Sequence, residues 1–137
     1  MLTSKNNDVN FGNISATTTG EVFLDPQGVA SNYVGTAASA GKLTITGDGT
    51  QSIRVGWPGS VTLTDDDSHE LTLTFAVAGS GTDNQTNSED LQLEGGYSSV
   101  NLGMGAYYIW VGGSLGTLDS QSPGTYTGTA DFTIEYN

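Results

Sequence analysis

An all-β fold, two antiparallel sheets packed face to face, is what this sequence predicts, and three observations predict it. Apolar residues recur at every second position, the period of a half-buried strand, and not at helical spacing. Twenty glycines interrupt almost every window long enough for a helix, and each glycine in a helix interior costs about 1 kcal/mol relative to alanine. Turn signals divide the alternating runs at short intervals, as in a sandwich of short strands.

The strands follow in order. Alternation runs through Leu43 to Ile45, Ile53 to Trp57 and Val61 to Leu63. In Leu71-Thr72-Leu73-Thr74-Phe75-Ala76-Val77 the odd positions face a core and the threonines face solvent, the arrangement β-branched and aromatic residues favour on a pleated surface. Leu91 to Leu93 continues the pattern, and Tyr107-Tyr108-Ile109-Trp110-Val111 puts Tyr107, Ile109 and Val111 on one face and Tyr108 and Trp110 on the other. At the C-terminus Tyr126, Gly128, Ala130, Phe132, Ile134 and Tyr136 alternate with polar residues, which predicts one long strand. Between the runs, Asp25-Pro26-Gln27-Gly28, Gly47-Asp48-Gly49, Pro58-Gly59, Asp65-Asp66-Asp67 and Ser122-Pro123-Gly124 carry turn chemistry. Gly79 to Asp90 has no apolar residue and predicts an exposed loop longer than a hairpin turn.

The 137 residues suit one domain spanning 1–137, with no repeat or compositional break to divide it. Three basic against fifteen acidic side chains give a formal charge of -12. Such a surface repels phosphate backbones and anionic headgroups, so neither nucleic-acid binding nor membrane insertion is expected. No apolar run approaches the ~20 residues of a membrane helix, and the N-terminus lacks the apolar segment of a signal peptide. A chain opening on Met1 and Leu2 suits a start placed after a removed leader. The absence of cysteine excludes disulfides, thiolate zinc sites and cysteine nucleophiles together.

Candidate chemistry is sparse. His69 is the only histidine and follows Asp66-Asp67-Ser68, but triad members converge through a fold and are not read from one line of sequence. Fifteen carboxylates always supply some pair at glycosidase spacing, so no enzyme is expected. Calcium wants several oxygens from a flexible loop, and Asp65, Asp66, Asp67 and Asp83 are the candidates, although neither acidic stretch matches the regular twelve-residue loop. No cofactor is expected. Trp57, Tyr108 and Trp110 are candidates for a sugar-stacking platform, since aromatic rings offer an apolar face with a polar handle.

Four stretches resemble a secreted bacterial, pilin-like family, the domain of unknown function 4402: Asp8-Val9-Asn10-Phe11-Gly12-Asn13-Ile14, Gly20-Glu21-Val22-Phe23-Leu24-Asp25, Gly112-Gly113-Ser114-Leu115 and Gly124-Thr125-Tyr126-Thr127-Gly128-Thr129. The likeness covers nearly the whole chain. The C-terminal strand is also similar to that of chaperone-usher pilus subunits, with Gly124 fourteenth from the end and Tyr136 in the penultimate place. These resemblances imply an immunoglobulin-like antiparallel sandwich one strand short, completed by a strand from a neighbour. Gly124, Tyr126, Ala130, Phe132, Ile134 and Tyr136 would then line the accepting groove. Met1 to Asn7, with only Leu2 apolar beyond the start, lacks the alternation of a donor strand. The implied role is an extracellular structural subunit of a bacterial surface filament. Its partners would be further copies of itself or related pilus subunits, with a periplasmic chaperone before assembly. The alternative expectation is a carbohydrate-binding adhesin module.

Overall fold

The computed structural model describes residues 1–137 except Ala16, Met104, Asp119 and Ser120. Among the described residues ten strands form: β1 (Leu2–Asn7), β2 (Glu21–Leu24), β3 (Gly41–Thr46), β4 (Ser52–Gly56), β5 (Ser60–Thr64), β6 (Glu70–Ser80), β7 (Glu89–Leu91), β8 (Ser98–Asn101), β9 (Ala106–Thr117) and β10 (Thr133–Tyr136). The larger sheet runs β1-β3-β9-β6-β5, with β2 also beside β9 and β7 also beside β6, and the smaller runs β10-β4-β8. These strands all pair antiparallel. The fold is therefore all-β and sandwich-like, as the period-two pattern predicts.

The two longest strands, β6 and β9, pair from Thr74↔Ser114 to Ser80↔Tyr108 and form the middle of the larger sheet. On β6 Leu73 and Val77 are buried while Thr72 and Thr74 are exposed. Ile53 and Val55 of β4 are fully buried against Ile45, Val77, Tyr107, Ile109 and Val111 of the larger sheet, with Leu102 among them. Each such side chain contributes about 1.5–3 kcal/mol. Burial pushes the Tyr107 phenol up to about 12, with the Glu89 carboxylate adding to the rise.

A second cluster, Val22, Leu73, Leu115 and Leu118, lies further along the larger sheet. Phe11, Ile14 and Val34 pack on it from outside any named strand. The covering layer is thus a sheet over one cluster and includes irregular chain over the other.

Two expectations are corrected. The predicted strand from Tyr126 to Tyr136 is not continuous: Thr127 makes a single bridge to Thr64 of β5, and ladder pairing resumes only at Thr133, beside Gly56 of β4. The chain leaves the edge of one sheet and joins the edge of the other, a change no single ladder can make. Alternation persists because both halves have an inward side, with Tyr126, Ala130, Phe132 and Ile134 half-buried. Nor is Gly79 to Asp90 all exposed loop. Gly79 is buried within β6 and pairs Glu89 of β7, and a Cβ there would lie 2.5 Å from the Tyr107 hydroxyl oxygen.

Candidate functional site

β10 is the last strand of the smaller sheet. One edge pairs β4, with Ile134 opposite Val55 and Tyr136 opposite Ile53. Among the described residues no strand pairs the other edge. Exposed strand edges of this kind offer unpaired N–H and C=O groups to another chain.

Side chains fasten β10 from the outer face of its sheet. The Arg54 guanidinium donates through Nη2 to Glu135 Oε2 at 3.0 Å and lies 4.4 Å from the centre of the Tyr97 ring. The Tyr97 hydroxyl donates to Glu135 Oε1 at 3.4 Å. Asn137 continues the ladder, its backbone N–H donating to Ser52 O at 3.0 Å. Its amide also reaches the hydroxyls of Ser52 and Ser99. Arg54 is the one arginine of the chain, and that scarcity was the only sequence signal for this clamp.

On the inner face, Phe132 and Ile134 pack against the first core cluster and remain half-buried. Phe132 stacks on Trp57 with ring centres 5.8 Å apart and meets Phe75 edge-on at 6.1 Å. Tyr136 is 46% exposed. Its hydroxyl and the Cα of Met1 both lie close to Gly47, just past β3, so the end of β10 sits near the start of β1. All six residues of β1 are exposed. Thr3 and Lys5 stand directly opposite Ile45 and Leu43 and so share their core-facing side, yet neither is covered.

Gly124 and Tyr126 lie elsewhere. Gly124 is exposed beside the turn that follows β5, where a Cβ would come within 2.8 Å of Asp65 Oδ2. The Tyr126 hydroxyl donates to Ser122 O at 2.7 Å. Of the six sequence candidates, the structure groups Phe132, Ile134 and Tyr136 around β10, with Ala130 half-buried on the approach.

The aromatic candidates divide between two faces. Trp57 packs with the core. Tyr108 and Trp110 stack at 6.3 Å on the opposite face of the larger sheet, with Lys42 Nζ 5.6 and 5.7 Å from their ring centres. Trp110 is only 4% exposed, so these three residues do not make one open platform. The chain around Gly28 and Gln85 closes over that side. Gln85 donates to Pro26 O and Gln27 donates to Ser88 O, tying the two loops reciprocally. Pairing between residues so far apart in sequence has no local signal.

Of the acidic candidates, Asp65 and Asp67 meet His69 with ligand atoms within 4.8 Å of one another. Asp66 is not in that group, and Asp83 instead pairs Lys42 at 2.7 Å. The Asp65 side chain is 3% exposed and organises its own turn. Its Oδ1 accepts the backbone N–H groups of Asp67 and His69, and its Oδ2 lies 2.8 Å from His69 Nδ1. Those contacts account for the group without an ion.

Burial alone would push the Asp65 carboxyl up, but the bonds and charge from His69 and the Asp67 N–H outweigh it and hold the group below its ordinary 3.8. A carboxyl that binds its proton less tightly folded than unfolded stabilises the fold fully above the ordinary value. That contribution fades as pH falls through the lower, folded value. Asp65→Asn is therefore expected to lower the melting temperature at pH 7. The gap from the unaltered protein should narrow below about pH 4, as thermal melts across an acid series would show.

The architecture defines an all-β protein of two antiparallel sheets, the smaller ending in an open strand. The chain belongs to the family described as Domain of unknown function (DUF4402), which matches residues 2–136, the family its four motifs resemble. No curated protein matches it.

Proposed function

We propose that this chain is a secreted structural subunit of a bacterial surface filament, joined to its neighbours by β-strand addition at the outer edge of β10. The observation that carries the reading is that among the described residues no strand pairs the outer edge of β10, beside half-buried Phe132 and Ile134. An added strand would gain main-chain hydrogen bonds from that edge and bury alternate side chains beside the two apolar residues. The reading is structural, not enzymatic. Its partners are further copies or related pilus subunits, with a periplasmic chaperone occupying the edge before assembly.

Ten-residue peptides with valine at alternate positions, threonine between and lysines at both ends test it. They should raise the melting temperature, since a ligand at 100 times its Kd adds about 2.7 kcal/mol to the folded state. They should also slow hydrogen exchange at the β10 amides that point away from β4. Peptides with serine in place of valine should do neither. Equal melting temperatures and unchanged β10 exchange with both peptides would overturn the reading.

A further inference from the structure

The edge strands of this molecule are not defended alike. On the larger sheet β1 carries Lys5 and a register shift between Lys5 and Asn7, and β5 is bridged at Thr64 by Thr127. Beside β8 of the smaller sheet, Asp90 and Glu94 line the same hollow as Ser98 and Ser99, which sets carboxylates against any approaching copy of so acidic a chain. A lysine, a bulge, a covering segment and like charge are the usual means of keeping strand edges apart. Among the described residues β10 has none of them. Thr133-Ile134-Glu135-Tyr136 contains no lysine and no proline, its register on β4 is unbroken, and its one charge, Glu135, is met by Arg54 at 3.0 Å.

The open edge is also complementary to itself. Because the Asn137 N–H donates to Ser52 O, Glu135 and Thr133 turn their main-chain groups toward β4, and Ile134 and Tyr136 turn theirs outward. Two copies meeting edge to edge about a two-fold axis pair antiparallel, and the pleat allows only registers that set inward residues opposite inward ones. Centring the axis on Glu135 sets that carboxylate opposite its own copy. Centring it on Thr133 sets exposed Asp131 opposite Glu135. Like charges directly opposite each other are destabilising. Centring the axis on Ile134 avoids both: Ile134 meets Ile134, Thr133 meets Glu135, and Phe132 meets Tyr136. Apolar side chains then face one another on the inner side, where Phe132 and Ile134 are half-buried and Tyr136 is 46% exposed.

We infer that the protein on its own forms a two-fold dimer through β10, joining two three-stranded sheets into one continuous sheet with Ile134 on the axis. The inference rests on the same open edge as strand addition and deepens that reading, because a dimer that closes on itself withholds the edge from an incoming strand.

Sedimentation velocity up to about 1 mM protein reads the self-association. Dimer should appear as concentration rises, and more readily as salt screens the charge of -12 on each copy. Thr133 is exposed, so Thr133→Glu should leave the melting temperature unchanged while weakening the dimer about tenfold, since it sets a carboxylate opposite Glu135 at both symmetry-related positions. Thr133→Lys should tighten it several-fold. The chain has no cysteine, so a single introduced one traps the register. Ile134→Cys, on the axis, should cross-link to its own copy on mild oxidation, because directly opposite residues of a hydrogen-bonded pair stand about 5.5 Å apart at Cα, within disulfide reach. Thr133→Cys, offset from the axis, should not. Monomer at every concentration would overturn the inference, as would a dimer that Thr133→Glu does not weaken or preferential cross-linking of Thr133→Cys. Protection of β10 by the valine peptide with monomer throughout would overturn the dimer and leave strand addition intact. A dimer that obeys these substitutions, together with a Thr133→Glu monomer that takes no peptide, would support the dimer and count against strand addition.

Discussion

Gly112→Ala is expected to lower the melting temperature by about 10 °C or more, through a loss above about 3 kcal/mol. Gly112 lies in β9 opposite Ala76 of β6. A Cβ there would stand 2.1 Å from Leu24 O, 3.0 Å from Leu24 C and 3.1 Å from Pro26 N. All three obstructing atoms are backbone, so no rotamer change relieves the clash. Either the end of β2 lifts from β9 or β9 bends away from β6, and each movement breaks ladder bonds around buried side chains. The next residue is equally confined, since a Cβ on Gly113 would lie 2.2 Å from Thr74 O. Gly59→Ala is the matched control, for a Cβ there meets nothing within 4 Å, and it should melt within about 2 °C of the unaltered protein. Equal melting temperatures for the two variants would contradict this account of the paired glycines.

The second large effect separates the isolated subunit from its strand-bound form. Ile53 is fully buried in β4, so Ile53→Ala should cost about 2–5 kcal/mol in either state. Ile134 of β10 touches the same cluster from a half-buried position, and Ile134→Ala should cost only about 1 kcal/mol in the isolated protein. Once the valine peptide lies beside β10, Ile134 has a neighbour on its open side and the cost should approach that of Ile53. Denaturant unfolding with and without saturating peptide measures the difference. A cost for Ile134→Ala that does not change on peptide binding would place the added strand elsewhere.

Much of the fold was legible because burial is one-sided along the long strands. The alternation of β6 and the two faces of β9 come directly from which side meets the core. β1 and β8 were not legible for the same reason: Leu2–Asn7 is exposed throughout, and Ser98–Asn101 is mostly polar, so neither carries a hydrophobic stripe. The C-terminal error arose because side-chain alternation reports which way residues point and is silent on which strand supplies the hydrogen bonds. The candidate site was partly legible. Phe132, Ile134 and Tyr136 follow from alternation, but the Arg54–Glu135–Tyr97 clamp depends on β4, β10 and the approach to β8 meeting in space. Trp110 was correctly placed on the face opposite Ile109, and its cover, Tyr108 and Lys42 beside the ring and the loops joined by Gln27 and Gln85, depends on contacts that alternation does not report.

The crossing between Thr127 and Thr133 has a mechanical consequence. This covalent strap ties the border of the larger sheet at β5 to the border of the smaller at β10, adding to the β3–β4, β4–β5, β7–β8 and β8–β9 connections that already cross between the layers. Cut there, the protein would hold β10 by its four ladder pairs, the Asn137 bond to Ser52, its side-chain clamp and the packing of Ile134, turning a load borne along the backbone of that strand into one borne by noncovalent contacts.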